Sequence, residues 1–145
     1  MQRLMLKSKI HRALVTATFL DYEGSIAIDP DLLAAADILP GEQVHVLNVN
    51  SGARIVTYVI PGAPSSGEIM LNGPAARSAQ VGDPVVIITY APMTDDEARA
   101  HVPRVVLVDA KNRPRRVKGV PGQPDRFPKK PAPKKTATKP RPRKS

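Results

Sequence analysis

Residues 44–60 read Val44-His45-Val46-Leu47-Asn48-Val49, Asn50-Ser51-Gly52, Ala53-Arg54-Ile55-Val56-Thr57-Tyr58-Val59-Ile60, two runs rich in Val and Ile on either side of a turn signal. β-Branched residues at this density suit a pleated, half-buried surface, and Asn-Ser-Gly tolerates a tight reversal, so 44–49 and 53–60 are expected to pair as a hairpin. Working outward, further short strands are expected at 10–17, 26–28, 68–71, 84–90 and 104–109. Only two stretches have helix signals. Asp29 is an N-cap before Pro30, followed by Leu32, Leu33 and three alanines up to Pro40-Gly41. Thr94 with Glu97 forms a capping box for a second short helix, which Pro103 prevents from extending. Many short strands, two short helices and no long crossover helix predict a mainly β fold, a compact barrel with helical decorations rather than a doubly wound sheet. With aromatic residues at 3%, its core must be Val, Ile, Leu and Ala, a modest core of the kind that oligomerisation often supplements.

The formal charge of +9 suggests a nucleic-acid binder until it is divided along the chain. Residues 1–110 hold 8 basic and 12 acidic side chains, whereas 111–145 hold 14 basic side chains and the single acid Asp125. Half of the 16 prolines also lie in that last segment. The expected organisation is therefore one domain over 1–115 and a disordered Pro/Lys/Arg-rich tail over 116–145. Interleaved prolines with the single aromatic Phe127 give charge but no stacking platform, so the tail reads as a solubilising extension with at most weak, nonspecific anion contacts. The chain has no cysteine, which removes disulfides, thiolate catalysis and cysteine-ligated metals. The N-terminus lacks a secretory apolar region, and no run of about 18 apolar residues occurs, so a cytoplasmic location without membrane contact is expected.

The common catalytic motifs are absent, and His11, His45 and His101 have no metal-ligand spacing, so no metal is expected. What remains is Tyr22-Glu23-Gly24-Ser25 ahead of the apolar Ile26-Ala27-Ile28. Taken alone, Gly24-Ser25 is an ordinary turn in which Gly24 supplies a positive φ. It also permits different chemistry. Glycine leaves its carbonyl sterically open, and the next residue's hydroxyl can reach that carbonyl through a five-membered ring, an N-to-O acyl shift.

Five co-linear blocks give this pair a context: Lys9-Ile10-His11-Arg12, Tyr22-Glu23-Gly24-Ser25-Ile26, Ala53-Arg54-Ile55-Val56-Thr57-Tyr58, Asn72-Gly73-Pro74-Ala75-Ala76 and Gly82-Asp83-Pro84-Val85-Val86-Ile87-Ile88. In order and spacing, over about residues 1–115, they resemble the pyruvoyl-dependent aspartate decarboxylases of bacteria. The resemblance implies a six-stranded double-ψ β-barrel, a homotetramer with active sites between subunits, and a proenzyme cut at Gly24-Ser25 into a β chain of residues 1–24 and an α chain from 25. It implies a lyase that converts L-aspartate to β-alanine and carbon dioxide, feeding pantothenate and coenzyme A synthesis. Its only cofactor is a covalent pyruvoyl group made from Ser25, which takes up the substrate amine as a Schiff base.

The same resemblance assigns the site. Ser25 attacks the Gly24 carbonyl, Thr57 stabilises the anionic intermediate of cleavage, and Tyr58 donates a proton in turnover, as a phenol protonated at neutral pH can. Arg54 can grip a substrate carboxylate bidentately and Lys9 adds a point charge, with Thr57 also against substrate. Asn72, Gly73, Pro74 and Ala75 form a small-residue loop along the substrate, while His11 and Tyr22 are candidate lining residues. The family more often carries alanine at position 74, and Pro74 has no N–H, so any contact there must come through its carbonyl or ring.

Without the family, each residue has a plainer reading: Thr57 as a strand former, Tyr58 as a rim tyrosine, Lys9 and Arg54 as solvated cations. Two alternatives follow. A non-enzymatic barrel binding nucleic acid through its tail predicts an intact chain. A self-processing decarboxylase for glutamate differs by one methylene, which a pocket discriminates by about 1–3 kcal/mol.

Overall fold

The computed structural model describes residues 1–118. Nine strands are present: β1 (Gln2–Leu14), β2 (Ala17–Phe19), β3 (Ser25–Ile28), β4 (Gln43–Asn48), β5 (Arg54–Pro61), β6 (Ile69–Asn72), β7 (Pro84–Thr94), β8 (Arg104–Val108) and β9 (Pro114–Lys118). Two short helices, α1 (Pro30–Ala36) and α2 (Asp95–Ala100), and a 3-10 helix, Gly73–Ser78, decorate them. The hydrogen-bonded order is β2-β6-β3-β5-β4-β7-β1-β8-β9. In that order β2 lies at one edge and β1 six places away, yet only Val15 and Thr16 separate them in sequence. A flat sheet cannot satisfy both conditions. The sheet must curl until its edge meets β1, and the Val15 and Thr16 amides mark the joint by donating to the carbonyls of Asp83 and Ile69 at 2.9 and 2.8 Å. Counting β1 and β2 as one bent stave leaves six staves, the barrel expected from the sequence. β8 and β9 extend the sheet beyond β1, with β8 parallel to it.

Alternation along the strands fills this barrel. In β4, Val44 and Val46 are buried, and in β5 Val59 is buried while Arg54, Val56 and Tyr58 face outward. Ile10, Ile26, Ile28, Val44, Val59, Ile69 and Ile87 are all fully buried, each contributing about 1.5–3 kcal/mol of transfer free energy.

The hairpin 43–61 and both helices form where the sequence predicts. Asp29 caps α1 by accepting from Asp31 N at 2.9 Å, and its other oxygen accepts from Gly67 N at 2.8 Å. It thereby ties the end of β3 to the turn that opens β6. Thr94 and Glu97 complete the capping box of α2. Several boundaries differ from expectation: β7 runs on to Thr94 rather than ending at 90, and the strand expected at 10–17 breaks at Val15 and Thr16. β1 begins at Gln2 rather than near residue 10, because pairing with β7 holds a segment whose mixed composition gives no strand signal. The tail, expected from residue 116, begins no earlier than 119, because β9 pairs Arg116, Val117 and Lys118 with Leu107, Val106 and Val105. The expected disorder of the remaining tail lies outside the described residues.

Asn112, in the β8–β9 turn, is buried and clamps β1 to the rest of the sheet. Its Oδ1 accepts from Leu14 N at 2.7 Å, and its Nδ2 donates to the carbonyls of Leu14 and Gly67 at 2.7 and 2.8 Å. Asn112→Ala strands these backbone groups, and a loss of about 1–3 kcal/mol is expected in urea unfolding at unchanged m value. A loss under about 0.5 kcal/mol would show the clamp to be idle. Asp29 gives a pH-dependent check. Burial pushes its carboxyl upward, but backbone donors at Asp31, Gly67 and Ser65, with the charge of Arg113, outweigh this and hold it below the ordinary value of 3.8. A carboxyl depressed in the folded state stabilises fully above its unfolded pKa, about 4, and that stability is lost as pH falls through the folded value. Asp29→Asn should flatten the acid limb of a stability–pH curve; an unchanged limb would show that Asp29 does not contribute to it.

Candidate active site

Ser25 is the first residue of β3 and pairs with Asn72, the last residue of antiparallel β6. Both are 0% exposed. Asn72 Nδ2 donates to Ser25 Oγ at 3.1 Å, and the serine hydroxyl donates to the Glu23 carbonyl, also at 3.1 Å. The Asn72 Oδ1 is buried and receives no hydrogen bond. On its other side β3 runs parallel to β5, with Ile26 opposite Val59, which brings the Thr57-Tyr58 end of β5 alongside the start of β3. The serine thus sits at a strand end between two neighbours that each carry a predicted site residue.

A cavity of about 410 Å³ opens here, lined by Gly24, Ile55, Val56, Thr57, Tyr58, Pro74 and Ala75. Of the residues predicted from the sequence, Gly24, Thr57, Tyr58, Pro74 and Ala75 therefore share one cavity, with Ser25, Asn72 and Gly73 packed behind its wall. Pro74 meets Gly24 through its ring, since a Cβ added to Gly24 would lie 3.3 Å from Pro74 Cδ. The ordinary-turn reading asked for a positive φ at Gly24, and Gly24 does not have one; Gly73 does, at 61°.

Other predicted residues lie elsewhere in the chain. Lys9 pairs with Ile88 of β7 and Val105 of β8. Arg54 is exposed, with Nη1 3.4 Å from His45 Nδ1, and the His45 ring meets Tyr90 edge-on at 5.2 Å. His11 borders a separate cleft of about 370 Å³ with Arg12, Asp109 and Arg115. Tyr22 is exposed and its ring stands 5.9 Å from that of Phe19. Three features escaped the sequence reading: the Glu23 carbonyl as hydrogen-bond acceptor for Ser25, and Ile55 and Val56 as lining. The last two lie between Arg54 and Thr57, and their adjacency was the available signal. Among the described residues no group of three or more His, Cys, Asp or Glu side chains is arranged to hold a metal, and no helix is long and apolar enough to cross a membrane.

Fold and site together define a small β-barrel enzyme with a buried serine at a strand end beside a cavity. Residues 1–115 match the family model for aspartate decarboxylase, and the chain belongs to that family. The aspartate 1-decarboxylase of Thermoanaerobacter pseudethanolicus is 57% identical over 114 residues, covering 79% of this chain and 97% of the relative. That of Listeria monocytogenes is 55% identical over 112 residues, covering 77% and 88%, and that of Herminiimonas arsenicoxydans 56% over 112 residues, covering 77% and 94%. A crystal structure of the computationally designed msDPBB_sym2 protein overlaps 60% of this chain and 99% of its own at a TM-score of 0.41 and 14% identity. That likeness is too slight to bear on the fold, which rests on the strand pairing above.

Burial separates the buried Asn72 from the exposed Arg54 energetically. Asn72→Ala removes a buried donor from Ser25 and should cost about 1 kcal/mol or more in urea unfolding. Arg54→Ala, at an exposed position, should stay within about 0.5 kcal/mol of the parent. Equal effects at the two positions would contradict the buried Asn72–Ser25 contact.

Proposed function

We propose that this chain is an aspartate 1-decarboxylase that matures by cleaving its own Gly24-Ser25 bond and then converts L-aspartate to β-alanine and carbon dioxide, supplying β-alanine for pantothenate and coenzyme A synthesis in the cytoplasm. The observation that carries the reading is the buried Ser25 hydroxyl, held by Asn72 and Glu23 directly behind a cavity lined by Gly24, Thr57 and Tyr58. In maturation a bond forms from Ser25 Oγ to the Gly24 carbonyl carbon, the bond to the Ser25 nitrogen breaks, and the hydroxyl proton passes to that nitrogen. Loss of the Ser25 Cα proton with scission of the Cβ–O bond then frees the Gly24 carboxylate, and hydrolysis at residue 25 releases ammonia. Holding the hydroxyl and carbonyl in one short turn supplies the proximity that an amide rearrangement needs. Thr57, on the cavity wall, is the proposed donor to the oxyanion.

The pyruvoyl group, once made from Ser25, supplies a carbonyl that takes up the substrate amine and withdraws the electrons left as carbon dioxide departs. The surroundings would fit such a group, since Asn72, paired with residue 25 across β3 and β6, brings its Nδ2 donor to that position, and the neighbouring Gly73 and Ala75 are small. In turnover Tyr58 delivers a proton to the carbon that lost its carboxylate, while Pro74 and Ala75 wall the substrate. Arg54 and Lys9 hold the carboxylate that is kept. Neither lines the cavity of its own chain. Arg54 shares the outer barrel face with Val56 and Tyr58, 54% and 40% exposed, and Lys9 lies on the same cross-strand row as Ile88, His45 and Val56. Packing this face against a neighbouring copy in a homotetramer covers the apolar side chains and carries the cations to the neighbour's substrate. The catalytic domain is assigned to residues 1–115, the span of the family match, and the relatives named above align over 112 to 114 residues of this chain.

Several outcomes check this reading. On a denaturing gel the purified chain should resolve into two fragments and Ser25→Ala should stay intact; an intact parent after long incubation would contradict self-cleavage. Tyr58→Phe should cleave normally yet lose about 100-fold or more in aspartate-dependent carbon dioxide release, and unchanged turnover would remove Tyr58 as proton donor. Val56→Glu should dissociate the tetramer in light scattering and abolish turnover, whereas deletion of 121–145 should preserve both. Borohydride should trap aspartate on the α chain, and trapping of glutamate alone would change the substrate.

A further inference from the structure

We propose that Gly73 is the positioning residue for self-cleavage: its backbone, free of a side chain, braces the 22–24 turn and holds the Gly24 carbonyl against the Ser25 hydroxyl. The proposal rests on the self-cleavage reading above and assigns Gly73 to maturation rather than to substrate contact. Gly73 has φ of 61°, in the left-handed region where a side chain is disfavoured. A Cβ there would lie 2.6 Å from the Tyr22 carbonyl oxygen, 2.7 Å from Gly24 N and 2.8 Å from Gly24 Cα. All three are backbone atoms, which cannot rotate aside as the end of a side chain can.

Of the other positive-φ glycines among the described residues, only Gly67 makes a comparable contact, with the Lys111 carbonyl and away from residues 22–25. Gly41, Gly52 and Gly82 have φ of 86°, 75° and 92°, and a Cβ on any of them would meet nothing within 4 Å. The close approach at position 73 therefore goes beyond what a turn requires. Gly24 is not itself left-handed, so the conformation of the scissile turn is not fixed by an unusual φ of its own. It is fixed by what it lies against, with the Gly73 backbone on one side and the Pro74 ring on the other. The residue before Gly73 completes the arrangement, because Asn72 holds the attacking oxygen at 3.1 Å. One strand end thus grips both reaction partners, the nucleophile through Asn72 and the acyl group through Gly73. A side chain at 73 pushes residues 22–24 away while Asn72 keeps Ser25 in place, separating oxygen from carbonyl carbon. A misplacement of about 1 Å costs roughly 100-fold in rate.

The test follows cleavage of freshly purified full-length chains by intact mass, alongside thermal midpoints, for the parent, Gly73→Ala, Gly73→Asn and Gly82→Ala. Asparagine accepts a positive φ with less strain than alanine but still carries the Cβ, so it separates contact from backbone conformation. Gly82→Ala controls for strain without contact. Both Gly73 variants should remain folded, with midpoints close to that of Gly82→Ala, and should cleave about 100-fold more slowly than the parent, while Gly82→Ala keeps the parental rate. Parental cleavage in a folded Gly73 variant would overturn the proposal. So would unfolding of both Gly73 variants with Gly82→Ala folded, because Gly73 would then hold the fold and not the reaction. An uncleaved parent would be a different failure, that of self-cleavage itself, and the proposal would fall with it.

Discussion

Two residues, Val15 and Thr16, carry the chain from the seventh strand of the hydrogen-bonded order to its first edge. That span is short enough to decide the architecture, because the only sheet that satisfies it is one curled into a barrel. Within the barrel β3 lies between β6 and β5, so its start has a neighbour on both sides. Ser25 is buried as a consequence of this closure rather than of its own polarity. A buried hydroxyl must find partners, and Asn72 and the Glu23 carbonyl supply them.

The same closure explains why the site is composed as it is. β3 has a partner on each flank, so one short strand end gathers groups from two distant parts of the sequence, Thr57 and Tyr58 from β5 and Asn72 from β6. In the proposed function, cleavage and turnover share a cavity about 410 Å³ in volume. The cations proposed for substrate binding stand on the outer face instead. In the proposed assembly a neighbour's face completes the site, so oligomer and activity are one requirement.

Much of this was legible in residue order. The 43–61 hairpin is visible because alternating Val and Ile flank an Asn-Ser-Gly turn, and both helices are visible because Asp29-Pro30 and Thr94-Glu97 are local capping signals. What was not legible depends on partners distant in sequence. Residues 2–9 mix Arg3, Lys7 and Lys9 with apolar positions and become strand only because β7 lies beside them. Arg116 reads as tail, yet it belongs with Arg115 to an edge strand, where charged side chains are suited. No local pattern singles out Asn112, and its burial appears only when Leu14 and Gly67 are brought to it. At the site, co-linear blocks identified Ser25, Thr57 and Tyr58, but no local pattern reveals that Gly73 presses on Gly24. The ordinary-turn alternative put a positive φ at Gly24; it belongs to Gly73, which approaches Gly24 from some 50 positions away.

The central claim is that the buried serine at the head of β3 is a precursor rather than a structural residue. The mass of the fragment that begins at residue 25, measured on the mature full-length protein, tests it most directly. The account predicts a fragment lighter than one starting with serine by a single ammonia, accompanied by a companion that ends at Gly24. A fragment of unmodified serine mass, or a chain unbroken between Gly24 and Ser25, would contradict it.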